Sequence, residues 1–178
     1  MRGRGLGLVA KESYPVKPSA ANVSDEQIWN LFPSATQIGC PGCVTKGRKE
    51  MLGTSAAMYI KTLQQGPPGR LCNIHLTFHA SPKAAKRAWK AIDKTLHTSP
   101  TVIEGVGDEA MVVHLGGDGA GDYALARFRN ARVMMTDQAI AVSPPSVKRL
   151  AVNWSFVKHI FREMESLPQC PIPPGVKV

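Results

Sequence analysis

Four cysteines are the residues of this chain best suited to chemistry. Cys40 and Cys43 form a C-x-x-C pair, and Cys72 and Cys170 follow further along the chain. An even number of cysteines is typical of a disulfide-bonded protein from an oxidising compartment. Four cysteines permit three pairings, and spacing does not choose among them. The most attractive bridge joins Cys40 or Cys43 to Cys72, because it would pin an irregular loop to the sheet; Cys170 would take the remaining partner.

Two other chemistries could use the same residues. A redox C-x-x-C pair benefits from a helix N-terminus beside the attacking thiolate, but the residues after Cys43 are a weak helix start and no βαβ pattern surrounds them. Cys40, Cys43, Cys72 and His75 also have the composition of a zinc site. Cys72 and His75 are three apart on a predicted strand, so their side chains face opposite sides. Structural disulfides are therefore favoured, a thiol-redox or zinc protein is an alternative, and no cofactor is expected.

A row of cations marks one face of a predicted helix that begins at Ser81-Pro82. Its other face carries an apolar stripe through Trp89. The cations are Lys83, Lys86, Arg87, Lys90 and Lys94. The whole chain has a formal net charge of +9, which favours anionic partners. The row is therefore the candidate contact for a polyanion, and a basic nucleic-acid-binding protein is the first alternative function.

Nothing else in the chain predicts catalysis. Asp108 and Glu109 are adjacent carboxylates, but neighbouring positions on a strand diverge, and Asp108 is better suited to hydrogen bonding with turn backbone. There is no Gly-x-Ser-x-Gly elbow. We therefore expect a non-enzymatic protein.

The elements that position these residues are predicted in the order α-β-β-α-β-β-β-α. Ser24 and Gln27 form a capping box for the first helix, residues 34–53 are expected to be irregular, and the last helix is expected over about 146–167. The clearest strand alternates apolar Cys72, Ile74, Leu76 and Phe78 with polar residues, which predicts one buried face. Short turns between strands predict an α+β fold with an antiparallel sheet of about five strands, flanked by helices.

The same sequence patterns predict the domain boundaries. Residues 1–22 lack periodicity and are expected to be a disordered lead, 23–168 form a single domain, and 169–178 form a Pro-rich tail. No stretch approaches the roughly 18 apolar residues that a membrane span needs. The first ten residues are basic and then apolar, like a secretory signal but with too short an apolar run. They are either a flexible tail or the remnant of a signal.

Several local features together resemble a known group. They are the early helix at 25–32, a cysteine before the hairpin, Cys72 in its second strand, the segment 105–110 (Gly-Val-Gly-Asp-Glu-Ala), a Gly-rich hairpin loop, strands at 124–128 and 133–135, and a terminal amphipathic helix. Over about residues 22–167 the chain resembles the PsbP-like α+β domains of LpqN-type bacterial cell-envelope lipoproteins and the related extracellular sensor domains of Ser/Thr kinases.

This resemblance implies an extracytoplasmic or periplasmic binding or sensing module. Its partner would be a small ligand or a protein, neither of which the sequence identifies. A cytoplasmic location is the alternative, because no complete signal or lipobox cysteine stands at the start of the chain. The oligomeric state is left open.

Overall fold

The computed structural model describes residues 20–66, 69–95, 100–114, 122–142, 145–149, 154–167 and 169–178. In chain order the elements are β1 (Ala20–Asn22), α1 (Asp25–Trp29), β2 (Val44–Leu52), β3 (Ala56–Gln64), β4 (Gly69–His79), α2 (Pro82–Thr95), β5 (Thr101–Val102), β6 (Glu109–His114), β7 (Asp122–Phe128), β8 (Ala131–Val142), β9 (Pro145–Arg149), α3 (Trp154–Ser166) and β10 (Cys170–Ile172). The predicted α+β class, with an antiparallel sheet and helices, is confirmed.

The large sheet has the strand order β2-β3-β4-β8-β7-β6-β5, and all of its pairs are antiparallel. β9 pairs with the far end of β8, beyond the stretch that β7 occupies. β1 and β10 form a separate parallel pair. The predicted strand count of about five and the predicted element order were therefore wrong. β2 lies where irregular chain was expected, and β9 lies where the last helix was expected to begin.

β2 lacks the alternation that would have identified it. Its core-facing positions include Thr45, Gly47 and Lys49, opposite Leu63, Lys61 and Tyr59 of β3. The indole ring of Trp29 fills the space over Gly47, where a Cβ atom would lie 3.2 Å from the ring. A side chain from α1 thus supplies the apolar cover that β2 does not carry itself.

The last helix begins later than expected. Residues 145–149 form β9, whose Val147 pairs with Ile140 of β8, and α3 begins only at Trp154. Helical spacing of the apolar residues, Val147 included, could not show that a strand partner lies immediately upstream. The apolar residues of α3 itself are buried as predicted, including Val157, Phe161 and Met164.

One face of the large sheet, the core face, holds the main hydrophobic cluster. Cys72, Ile74, Leu76 and Phe78 of β4 are all 0% exposed, as the alternation predicted. They pack in one cluster with residues of α1, α3 and the segment from Leu31 to Cys40. Ile172 and Val176 belong to the same cluster. The C-terminal tail therefore closes the core instead of extending from it, and residues 20–22 pair with it as β1.

Among the described residues, helical cover of the opposite face of the sheet, the outer face, lies over β6, β7 and β8. Trp89 of α2 packs there with Met111 and Val113 of β6 and Leu125 of β7. Ser81 caps α2 by accepting a hydrogen bond from the Ala84 amide at 3.2 Å. In the described part of the chain, no helix has the length and apolar content needed to span a membrane.

The turn before β6 is held by hydrogen bonds to neighbouring elements. The Asp108 carboxylate accepts from the Arg127 guanidinium and from the Arg129 amide, both at 2.9 Å. Gly107 has a φ of +62°, and a Cβ atom there would lie 2.5 Å from the Arg127 carbonyl oxygen. The Arg129 guanidinium in turn donates to the carbonyls of Met164 and Leu167 at the end of α3. Asp108 thus acts structurally, joining two hairpins to the last helix.

Candidate functional site

The outer face of β2, β3 and β4 forms an open, polar region. We call this region the open half-face, and it comprises Lys46, Arg48, Ile60, Thr62, Asn73 and His75. Strand register places these side chains in two rows across the three strands. They surround a cavity of about 610 Å³. An adjoining cavity of about 240 Å³ shares Lys46 and Thr62 and extends to Val44 and Gln64. Cavities of this size are typical of small-molecule sites.

The two rows have different chemistry. The first row runs from Lys46 through Thr62 to Asn73, and the Thr62 hydroxyl donates to the Asn73 amide oxygen at 2.8 Å. Because its oxygen is taken in this way, the Asn73 amide presents its NH₂ group as a donor. This row therefore offers a cation and hydrogen-bond donors.

The second row runs from Arg48 through Ile60 to His75. Ile60 is 5% exposed and gives the region an apolar floor. The Arg48 guanidinium lies 3.0 Å from Glu50, but its side chain remains 69% exposed and accessible to a ligand. This row combines an apolar surface with a second cation.

His75 is half-buried, and burial is the main reason that its pKa lies below the usual value. The nearby positive charges of Arg48 and Arg132 lower this pKa further, whereas Glu50 opposes them. At neutral pH the imidazole is therefore uncharged, with one donor and one acceptor nitrogen. The formal positive charge of the open half-face then comes from Lys46 and Arg48.

The cationic row predicted on α2 lies on the same side of the sheet. Lys83, Lys86, Arg87 and Lys90 are exposed, while Ala85 and Trp89 of the same helix are buried. The side chain of Lys94 lies outside the described residues. Because α2 packs on the outer face, these cations and the open half-face both lie on the α2 side of the molecule. The α2 side of the molecule therefore presents the cations Lys46, Arg48, Lys83, Lys86, Arg87 and Lys90.

The cysteines are arranged differently from the favoured prediction. Cys40 and Cys43 are bonded to each other, with Cα atoms 5.4 Å apart, while Cys72 and Cys170 are free and buried. The expected bridges from the C-x-x-C pair to Cys72 and Cys170 are therefore wrong. The Cys43 amide donates to the Cys40 carbonyl at 2.9 Å, which closes a tight turn that brings the two sulfurs together. Spacing could not reveal this turn.

The two free thiols are far apart and unreactive. Cys72 pairs with Asp137 in the middle of the sheet, whereas Cys170 lies near Arg129 and Asn130, beyond the opposite end of β4. Seven residues of extended strand separate Cys72 from His79 at that end, which is about 23 Å. Burial raises the pKa of Cys72 to about 12, so its thiol stays protonated. Burial also raises the pKa of Cys170.

The structure does not assemble the alternative zinc set. Cys40 and Cys43 are consumed by their disulfide, Cys72 is buried in the core, and His75 is on the outer face. Among the residues that the structure describes, no group of three or more His, Cys, Asp or Glu side chains could hold a metal ion. The thiol-redox alternative also lacks support, because β2 and not a helix follows Cys43.

Sequence reasoning placed Asn73 and His75 on the polar face of β4 but missed Lys46 and Arg48. Those two cations lie on β2, which was expected to be irregular. The remaining local signals were the β-branched pair Val44-Thr45 and Gly53, which has a φ of +67° in the turn before β3. A hairpin ending at that glycine would have placed both cations on a strand. Comparison of the chain with protein-family models, curated proteins and solved structures gave no match.

Proposed function

We propose that this chain is a non-enzymatic, extracytoplasmic binding or sensing module and that its ligand site is the open half-face. The observation that best supports this proposal is that α2 covers only part of the outer face. α2 packs over β6, β7 and β8, whereas the cavity of about 610 Å³ lies over β2, β3 and β4. A sheet must cover its apolar face with its own helices, but a polar face needs no such cover. The cavity on the polar half is therefore suited to an external ligand.

The chemistry of the site favours an anionic ligand with an apolar body. Lys46 and Arg48 supply two cations on neighbouring outward positions of β2. Ile60 and Val44, which is 64% exposed, supply apolar surface beside them. Asn73 and the neutral His75 add hydrogen bonds that orient a carboxylate, sulfonate or phosphate group. A wholly apolar ligand would cover Lys46 and the Arg48–Glu50 ion pair without supplying a countercharge to Lys46, and is disfavoured.

The disulfide supports the proposed location. Bridges such as Cys40–Cys43 persist in oxidising compartments and are uncommon in the reducing cytosol. The features shared with extracytoplasmic PsbP-like domains favour the same location. Export would also expose the positively charged side of the protein to acidic lipids and other envelope polyanions.

Polyanion binding through α2 is a second candidate function. It is favoured by the exposure of Lys83, Lys86, Arg87 and Lys90 on one helix face. Such a row would contact phosphates without reading sequence, and binding would weaken steeply with salt. Trp89 is only 8% exposed in the cluster under α2, so it is not available to stack on bases. Sequence-specific recognition of nucleic acid is therefore not part of this proposal.

Two matched double variants distinguish the sites. Lys46→Gln with Arg48→Gln removes two charges from the open half-face, and Lys83→Gln with Lys90→Gln removes two from α2. The probe for the first site is anilinonaphthalene sulfonate, an anion with an aromatic body, followed by fluorescence titration at micromolar protein. We expect the β2 double variant to weaken its binding by about tenfold or more, and the α2 double variant by less than about twofold.

Oligothymidylate is the probe for the second candidate. Equal effects of both double variants on the sulfonate, or no binding of it by the native protein, would contradict the open half-face as the ligand site. Loss of oligothymidylate binding in the α2 variant alone would favour the second candidate. Circular dichroism of each variant checks that the fold is unchanged.

A further inference from the structure

β2 has a free outer edge. It stands at one end of the strand order and pairs only with β3, so the other side of its backbone has no strand partner among the described residues. A free edge of nine residues is a ready template for another strand. Apolar side chains are exposed at both ends of this strand: Val44 is 64% exposed at its start, and Met51 and Leu52 are each 42% exposed at its end. A strand that pairs with this edge would cover these exposed apolar side chains.

The outward side chains of β2 are self-complementary. In order they are Val44, Lys46, Arg48, Glu50 and Leu52. If a second β2 pairs antiparallel and centred on Arg48, Val44 lies opposite the second copy's Leu52, and Lys46 lies opposite its Glu50. The two-fold axis repeats both contacts. Apolar residues then meet apolar residues, and each of these lysines meets a carboxylate.

We propose that β2 forms the interface of a symmetric, antiparallel homodimer with this register. Lysine and arginine on an edge strand commonly prevent strand addition, because like charges come to oppose one another. Here Glu50 occupies the position that faces Lys46, so the charges at that pair attract. Only the two Arg48 side chains meet like with like at the axis. Each of them has its own Glu50 at 3.0 Å and is 69% exposed, so it stays hydrated and partly neutralised.

The register specifies a second copy of this chain more closely than any other occupant. An acidic extended segment of another protein could pair with Lys46 and Arg48, but it would meet Glu50 unfavourably. The symmetric pairing satisfies both signs of charge at once. It would join two large sheets into one and place two open half-faces side by side on the same side of it. This inference goes beyond the proposed ligand function and does not depend on it.

Charge reversal tests the register directly. Lys46→Glu creates two Glu–Glu oppositions in the dimer, and Glu50→Lys creates two Lys–Lys oppositions. We expect each single variant to dimerise roughly ten- to a hundredfold more weakly than the native chain, from the loss of two attractive cross-strand pairs and the gain of two repulsive ones. Sedimentation equilibrium from micromolar to millimolar protein, without any ligand, measures this difference.

Two further samples restore opposite charges at the two cross-strand pairs of the dimer. A mixture of the Lys46→Glu and Glu50→Lys chains should form a heterodimer, because each glutamate then faces a lysine. The chain carrying both substitutions should dimerise like the native protein. A native chain that is monomeric at millimolar concentration, a mixture that fails to associate, or dimers unaffected by either single substitution would overturn the proposal. Since no probe ligand is present, none of these results bears on the ligand site.

Discussion

The two halves of the outer face are parts of one sheet but have opposite chemistry. A single row across the sheet runs Arg48, Ile60, His75, Met134, Leu125 and Met111. Its last three residues meet the apolar side of α2, and its first three lie in the open half-face. The change occurs at β4, between His75 and Met134. One half of this face therefore packs against α2, whereas the other has no helix over it among the described residues.

The first test concerns the covered half of the outer face. Trp89→Ala removes the largest side chain between α2 and the sheet, where Trp89 is 8% exposed. We expect the free energy of unfolding to fall by about 3–5 kcal/mol, because a large buried aromatic is replaced by a cavity. Urea denaturation measures this loss. Lys86→Ala on the exposed face of the same helix is the control, and an equal effect of both substitutions would show that α2 does not pack through Trp89.

The second test concerns His79, which also lies on the outer face of β4. Burial, and secondarily the charge of Arg132, lowers its pKa from 6.5 to about 4. The folded state therefore binds fewer protons than the unfolded state between these values. Its contribution to stability is fully present above pH 6.5 and is lost as the pH falls towards 4. The loss is about 2–3 kcal/mol.

His79→Gln should remove most of this pH dependence, as urea denaturation across that range would show. The pKa of Asp25 is lowered mainly by its hydrogen bond from Lys49, so its contribution is lost only below its usual value of 3.8. The two groups thus act in separate pH ranges. An unchanged slope between pH 4 and 6.5 in the variant would contradict the assignment to His79.

The third test concerns the turn that leads into β2. The Cys40–Cys43 bridge closes a very short loop, so replacing both cysteines with serine should cost at most about 2 kcal/mol. Alkylation followed by peptide mass mapping checks the pairing. The denatured, unreduced protein should take up two alkyl groups, on Cys72 and Cys170, and the reduced protein should take up four. A denatured, unreduced protein that takes up none would contradict this pairing.

The smallest effect is expected at the open half-face. Lys46→Gln with Arg48→Gln should change the free energy of unfolding by less than about 0.5 kcal/mol, because the substitutions remove exposed charges and only one surface ion pair. Urea denaturation beside Trp89→Ala makes the comparison direct. A loss approaching that of Trp89→Ala would mean that the two halves do not differ as proposed.

Local signals were enough to predict part of this fold. Ser24 and Gln27 form the predicted capping box, with reciprocal hydrogen bonds of 3.1 and 2.8 Å. β4 and α2 were also predicted, because their periodicity lies within a few consecutive residues. β2 was not, because the partners of its core face come from elsewhere: Trp29 covers Gly47, and Asp25 accepts a hydrogen bond from Lys49 at 2.8 Å. Such cover depends on tertiary structure.

The candidate site, too, could be predicted only where a local pattern in the sequence marks it. The polar face of β4 was predicted from alternation, and His75 with it. His75 and His79 both lie on this face and are half-buried. Which half of the outer face stays open depends on where α2 lies, and no local pattern contains that information. Of the expected disordered lead over residues 1–22, residues 20–22 form β1 and residues 1–19 lie outside the described residues.

The most direct test of the ligand site is a map of backbone amide chemical shifts during titration with anilinonaphthalene sulfonate. We expect the shifts to cluster at Lys46, Thr62, Asn73 and His75 and to leave the core face unchanged. Shifts confined to α2, or spread evenly over both faces of the sheet, would contradict it.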